Sequence, residues 1–248
     1  MANKRKPSGW NKPKGDGGVS NSRDLKKRVK TARGRKISST NWLQRQLNDP
    51  YVGLAKKEGY RCRSAFKLLE IDDKYKFLKP GTTIVDLGSA PGGWAQIAAI
   101  RSQAAEGNGT VVGIDLHEVE AIAGVTLFKK DFFDEDAPGV LIEALGGELA
   151  DVVLSDMAAH ATGHKQTDHI KIIDLAETAL EFAMNVLKPG GTFLCKVLRG
   201  GSEHDLLATM KRHFTTIKHI KPDASRADSA ELFVLALGFN GKKTEQTD

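Results

Sequence analysis

The chain has 248 residues, of which 40% are apolar and 27% charged, and a formal net charge of +6 at pH 7. This is an ordinary globular balance at a length that allows one large or two small domains with a sizeable core, which argues against a low-complexity chain. No apolar run approaches the roughly 18 residues of a membrane span, no hydrophobic signal core is visible, and Cys62 and Cys195 form no CxxC pattern, so the expectation is a soluble, non-secreted protein of a reducing compartment without a zinc finger.

The positive charge is concentrated at one end. Residues 1–36 hold thirteen Lys and Arg against Asp16 and Asp24, a net of +11 that leaves −5 for the rest. The stretch is rich in Gly, Ser, Asn and Pro and poor in large apolar residues, so it cannot offset the entropy of ordering; residues 1–37 are predicted to be a disordered basic tail. Mobile Lys and Arg gain affinity for phosphates by releasing counterions, which favours a nucleic-acid arm over an inert solubilising extension. A mitochondrial presequence shares the richness in Arg and Ser, although no amphipathic helix is visible. One globular domain is predicted for 38–241, with a short tail at 242–248.

Within that domain YRCRSAFKLLEI reads as a helical segment whose Ala65, Leu68, Leu69 and Ile71 are packing residues. TTIVDLG is a strand, and GGWAQIAAIRSQ opens a helix after its glycines. VVGIDL, VTLFKKDF and DVVLSDM read as further strands. IKIIDLAETALEFAMNVL repeats apolar residues at helical spacing, from Ile172 and Ile173 to Met184 and Leu187, and stops at Lys188-Pro189-Gly190. TFLCKVL is the next strand. TIKHIK and ELFVLALGF, joined by PDASRADSA without a helix, predict an antiparallel hairpin at a sheet edge. The alternation of β and α predicts an α/β fold: a mostly parallel, doubly wound sheet with helices on both faces and an antiparallel edge strand.

The loop after the first strand, DLGSAPGGW, supplies Gly88, Gly92 and Gly93, which allow close backbone approach to a ligand at the carboxyl edge of the sheet. No GK[ST] follows, and Ala90 stands where the second glycine of GxGxxG belongs, so a pyrophosphate site is disfavoured. Asp115 ends the second strand, where an acid can take two hydrogen bonds from ribose hydroxyls, and Asp131 ends the third, where it could accept from an exocyclic amine. Together they describe a nucleoside site without phosphates, although each Asp taken singly also reads as a helix cap or a solvated strand end. Asp86 reads as structural.

Lys196 interrupts an apolar strand, so it either sits at the strand end with its head group in water or is held in a pocket that uses it. Asp156 ends the fourth strand, and parallel strands end on one edge, so Asp156 and Lys196 should face the same mouth; a carboxylate nearby lowers the cost of burying a lysine. Glu231 opens the last strand. Spacing alone does not bring Lys67 to the site. His160, His164 and His169 lie without a cysteine or carboxylate set at ligand spacing, so no metal is expected. Arg61, Arg63, Lys74, Lys76, Arg199 and Arg226 read as phosphate contacts or solvated surface.

From about residue 60 to 240 the sequence resembles the heat-shock-induced family of ribosomal RNA 2'-O-ribose methyltransferases. The motifs that carry the resemblance are RSAFKLLEI, VDLGSAPGGW, the Asp of KKDF, LSDM, GGTFLCKV and KPDASRADSAELF. It implies a Rossmann-like methyltransferase fold, S-adenosylmethionine as cofactor and a uridine of large-subunit ribosomal RNA as substrate. It also implies a catalytic tetrad of Lys67, Asp156, Lys196 and Glu231, with the donor held near Gly88, Gly92, Trp94, Asp115, Asp131 and Asp156. Where many relatives continue LSDMAP, this chain reads LSDMAAHATG, and the basic tail is not part of the family core.

A ribose 2'-hydroxyl is a very weak acid, so its attack on a methyl carbon needs a base. Lys196 can serve as the neutral amine, a form that burial, the like charge of Lys67 and the donor's sulfonium favour, while Asp156 and Glu231 oppose it and fix its position. The alternatives are the same chemistry on transfer RNA or a messenger cap, and a non-catalytic RNA-binding assembly factor; the intact tetrad ranks the factor last. The expected protein is a monomer acting on ribosomal RNA in the large subunit, away from membranes, in a bacterial-type cytoplasm, or in a mitochondrion if the chain is eukaryotic.

Overall fold

The computed structural model describes residues 34, 37–159, 162–199 and 203–241. The predicted tail at 1–37 and the C-terminal tail at 242–248 lie outside the described residues, apart from Gly34 and Ile37. The chain divides between Asp49 and Pro50 into two compact units. The described part of the first is essentially one helix, α1 (Ile37–Asn48). The second unit carries everything below.

It begins with α2 (Pro50–Glu58) and α3 (Ala65–Tyr75), followed by β1 (Thr83–Leu87), α4 (Gly93–Ser102), β2 (Thr110–Asp115) and β3 (Val125–Lys129). Next come α5 (Ala137–Ala144), β4 (Ala150–Ser155), α6 (Lys165–Val186), β5 (Leu187–Leu198), α7 (His204–His213), β6 (Phe214–Ile220) and β7 (Glu231–Phe239). The seven strands form one sheet in the order β3-β2-β1-β4-β5-β7-β6. β1 to β5 pair in parallel, while β7 runs antiparallel to both β5 and β6. The expected hairpin is therefore at the edge, with β6 outermost and the reversed β7 tucked beside β5.

The strands are apolar on both faces because helices cover both. Val85, Leu87, Ile114, Val153, Phe193 and Cys195 share a core with Leu141 of α5, Ala179 and Leu180 of α6 and Met210 of α7. On the opposite face, α4 packs on β1 and β2 and against α3, with Phe66, Leu68, Ile71 and Ile97 fully buried. Burial also pushes the Cys195 thiol up, which makes it an inert packing residue rather than a nucleophile. α6 begins at Lys165, seven residues before Ile172, where the apolar repeat starts, because its first turn carries polar residues that no face pattern reveals. It ends at Val186, and β5 begins at Leu187, ahead of the Pro189-Gly190 pair.

Two features of register place the site. Ser155 of β4 is level with Cys195 of β5, so one step further Asp156 is level with Lys196. Lys196 lies opposite Phe233 and Leu198 opposite Glu231 on antiparallel β7. Residues opposite each other share a sheet face, and so do residues two apart on one strand. Lys196, Phe233 and Glu231 therefore project to one face at the carboxyl edge.

Candidate active site

Lys67, Asp156, Lys196 and Glu231 come together in a single cluster. Lys196 Nζ donates to Asp156 Oδ1 at 3.1 Å and to the Asp156 carbonyl at 2.6 Å. Lys67 Nζ, arriving from α3, donates to Glu231 Oε2 at 2.8 Å and lies 3.9 Å from Asp156 Oδ2. It also stands 5.5 Å from the centre of the Phe233 ring, where an ammonium gains from the negative ring face. Both lysines are buried, at 7% and 8% exposure. Two lysines and two carboxylates alternate, so each buried polar head has a complementary neighbour and its desolvation is partly compensated. The Ser225 hydroxyl donates to the other oxygen of Glu231, Oε1, at 2.8 Å.

Beside the cluster, beyond the ends of β1 to β4, opens a cavity of about 410 Å³ lined by Gly88, Asp115, Asp131, Phe132, Asp156 and Met157 among others. Asp156 belongs to both cavity and cluster. Gly88 turns there with φ +81°, and a Cβ on it would come within 2.8 Å of Met157 Cγ, so only glycine leaves this floor open. Asp115 accepts the Ala90 amide on Oδ2 at 2.9 Å and the His117 amide on Oδ1 at 2.7 Å. The His117 ring Nδ1 also lies 3.2 Å from Oδ1; with about four lone-pair sites on a carboxylate, Oδ2 keeps one for a hydroxyl donor. Asp131 accepts the Phe133 amide on Oδ1 at 3.0 Å, leaving Oδ2 for a ligand amine.

Gly92 and Trp94 lie at the start of α4 and are not among the residues lining this cavity. Trp94 is buried, donates from Nε1 to the Ser64 carbonyl at 2.9 Å, and packs 5.5 Å from Phe233, which places it behind the cluster as a support. Gly92 has φ +106°, and a Cβ there would meet Arg61 Nη1 at 2.8 Å. That arginine donates to the carbonyls of Glu120 at 2.6 Å and Ala121 at 2.7 Å, strapping down the loop that follows β2. Arg61 and Arg63 are thus engaged with backbone carbonyls, Arg63 with that of Ala224.

Asp86 occupies a different position from the other acids. It is fully buried with neither carboxylate oxygen in a hydrogen bond of normal geometry. Burial first, then the charges of Asp156 and Asp115, push it up to about 8, against the opposing pull of the Ala95 amide. Sequence reading missed Phe132, Met157, Lys171 and Asp174 as cavity lining. The Phe132-Phe133 pair directly after Asp131 was the one signal present; nothing marked the α6 residues. His164 and His169 lie at the beginning of α6, and His160 is outside the described residues. Among the described residues no three His, Cys, Asp or Glu side chains are grouped to hold a metal.

A reversed seventh strand, an acid-lined cavity beyond the carboxyl ends of the parallel strands and an adjacent lysine–carboxylate cluster are the arrangement of a Rossmann-like methyltransferase. The sequence pattern of the FtsJ-like methyltransferases matches residues 60–239. The chain belongs to that family. The protein named ribosomal RNA large subunit methyltransferase E in Parvibaculum lavamentivorans is 59% identical over 241 residues, covering 94% of each chain. Its namesake in Xanthobacter autotrophicus is 61% identical over 220 residues, covering 89% of this chain and 86% of its own. A solved structure described as a ribosomal RNA methyltransferase from Plasmodium falciparum superposes with a TM-score of 0.66 at 28% identity, covering 74% of this chain and 100% of its own.

Proposed function

We propose that this protein transfers a methyl group from S-adenosylmethionine to the 2'-hydroxyl of a uridine ribose in large-subunit ribosomal RNA. The observation that carries the reading is the buried Lys67–Asp156–Lys196–Glu231 cluster joined to the nucleoside cavity through Asp156. The cavity suits the donor on the chemistry of its lining: Asp115 with a lone pair for a ribose hydroxyl, Asp131 for an amine and the open Gly88 turn. When bound, the donor supplies an electrophilic methyl on a sulfonium, and the chain's own task is to present a hydroxyl and remove its proton.

Lys196 is the base. A neutral amine has two N–H donors and one lone pair; with both donors engaged by Asp156, the lone pair is left for the hydroxyl proton. Asp156 fixes Lys196 and then stabilises the ammonium that forms. Lys67, anchored by Glu231 and Phe233, contributes positive charge where the hydroxyl oxygen becomes negative. The high-identity relatives named for the large-subunit RNA support this substrate over transfer RNA or a cap. Every group of the cluster comes from one chain, which fits a monomer working in the cytoplasm where ribosomal RNA is matured.

The test is methylation of large-subunit RNA from a strain lacking this gene, followed by mass mapping of modified nucleotides. One ribose-methylated uridine is expected. Label on a base, on transfer RNA or on no RNA at all would overturn the reading.

A further inference from the structure

The segment between β6 and β7 approaches the cluster from outside the cavity, and its anchoring is unusually complete. Ala224 is held on both sides of its peptide: its N–H donates to Glu70 Oε2 at 3.0 Å and its carbonyl accepts Arg63 Nη2. The Tyr51 hydroxyl donates to the other Glu70 oxygen at 3.0 Å, and the Arg63 guanidinium lies 5.8 Å from the Tyr51 ring centre. Arg63, Lys67 and Glu70 are spaced four and three residues apart, so they share one face of α3 and its leading turn. The face that delivers Lys67 is thus the face on which the segment is docked.

Ser225 follows Ala224 directly, is 5% exposed, and spends its hydroxyl on Glu231 Oε1 while Lys67 takes Oε2. The segment itself does not depend on that hydroxyl, because Arg63, Glu70 and the bond from the Ser225 amide to the Pro222 carbonyl hold it. We infer that Ser225 is a positioning residue that aims the Glu231 carboxylate at Lys67, with α3 as the template for both; the inference rests on the methyl-transfer reading above. A carboxylate tethered through one oxygen only can rotate about its last torsion and let Lys67 drift from the reacting oxygen, and small misplacements of this kind are costly in rate.

The experiment is a double-mutant cycle in single-turnover methyl transfer, with the full-length protein and with donor and RNA saturating. Ser225→Ala should slow the chemical step about tenfold, with donor affinity and Tm close to wild type. Combined with Glu231→Gln, it should add nothing beyond the loss from Glu231→Gln alone, because Ser225 works through that carboxylate. A Ser225→Ala rate equal to wild type overturns the inference. Losses that multiply in the double mutant also overturn it, as does a rate loss that only tracks a lowered Tm. A wild-type protein that transfers no methyl overturns the methyl-transfer reading itself.

Discussion

Lys196 is tolerated in an apolar strand because Asp156, level with it just past the end of β4, offers it both a carboxylate and a carbonyl. If it is the base, Lys196→Ala should keep the fold and donor binding but lose roughly 10²–10⁴ in single-turnover rate. Lys196→Arg should fail almost as badly, since guanidinium does not release its proton near neutral pH. An Arg variant near the wild-type rate would reduce Lys196 to a positive charge. Asp115 belongs to the donor instead, so Asp115→Ala should weaken donor binding by about 1.5–3 kcal/mol, the scale of charge-assisted hydrogen bonds, as read by titration calorimetry. Unchanged affinity would move the donor elsewhere. Asp86 has a third role, visible in stability. Its folded value of about 8 lies above the ordinary 3.8, so between them the fold holds a proton that the unfolded chain has released. Stability therefore falls as pH rises through that window, by an amount on the order of a few kcal/mol. Asp86→Asn, uncharged throughout, should lose less Tm than wild type between about pH 5 and pH 8. Equal losses in the two proteins would exclude Asp86 as the titrating group.

At the scale of elements, the turn between β1 and α4 works through what it lacks. Gly92 leaves room for Arg61, and Arg61 straps the loop after β2, whose first residues Leu116 and His117 line the cavity. Gly92→Ala adds both a strained positive φ, costing about 1 kcal/mol, and a collision with that guanidinium. It should lower Tm and weaken donor binding together, and adding Arg61→Ala should cost little further donor affinity, because the collision has already undone the strap. A Gly92→Ala protein with wild-type Tm and donor affinity would sink the strap. The strands and α6 were legible in the sequence because two-sided burial and helical spacing write themselves into apolar residues, as in TIVDL and the Ile172 to Leu187 run. The polar first turn of α6 and the insertion of β7 between β5 and β6 were not, since strand order leaves no local trace. Asp115, Asp131, Asp156 and Lys196 could be placed at one edge from strand ends alone. Lys67 could not, because α3 precedes the sheet and only tertiary packing carries its face to Glu231; Ser225 was hidden in a segment that reads as a polar connection.

For the whole molecule the decisive quantity is how charge is divided. Residues 1–36 carry +11 and the rest of the chain −5, while the proposed substrate is a polyanion. A body of net negative charge gains little from long-range attraction to RNA, so sequence-independent affinity should reside in the basic segment. Removing residues 1–36 should weaken RNA binding and flatten the dependence of log K on log salt. The slope should drop by about 0.7–0.9 for each phosphate that the truncated protein no longer neutralises. Donor affinity should stay unchanged, because Asp115 and Asp131 are held by amides of their own neighbourhood, those of Ala90, His117 and Phe133. The chemical step at saturating RNA should also survive, since Lys67, Asp156, Lys196 and Glu231 hold one another within the unit that begins at Pro50. The penalty should therefore fall on the RNA concentration needed for half-maximal rate and grow smaller as salt is raised. Filter binding of full-length and truncated protein across a salt series reads the slope directly, and identical slopes would show that the thirteen basic residues do not touch RNA.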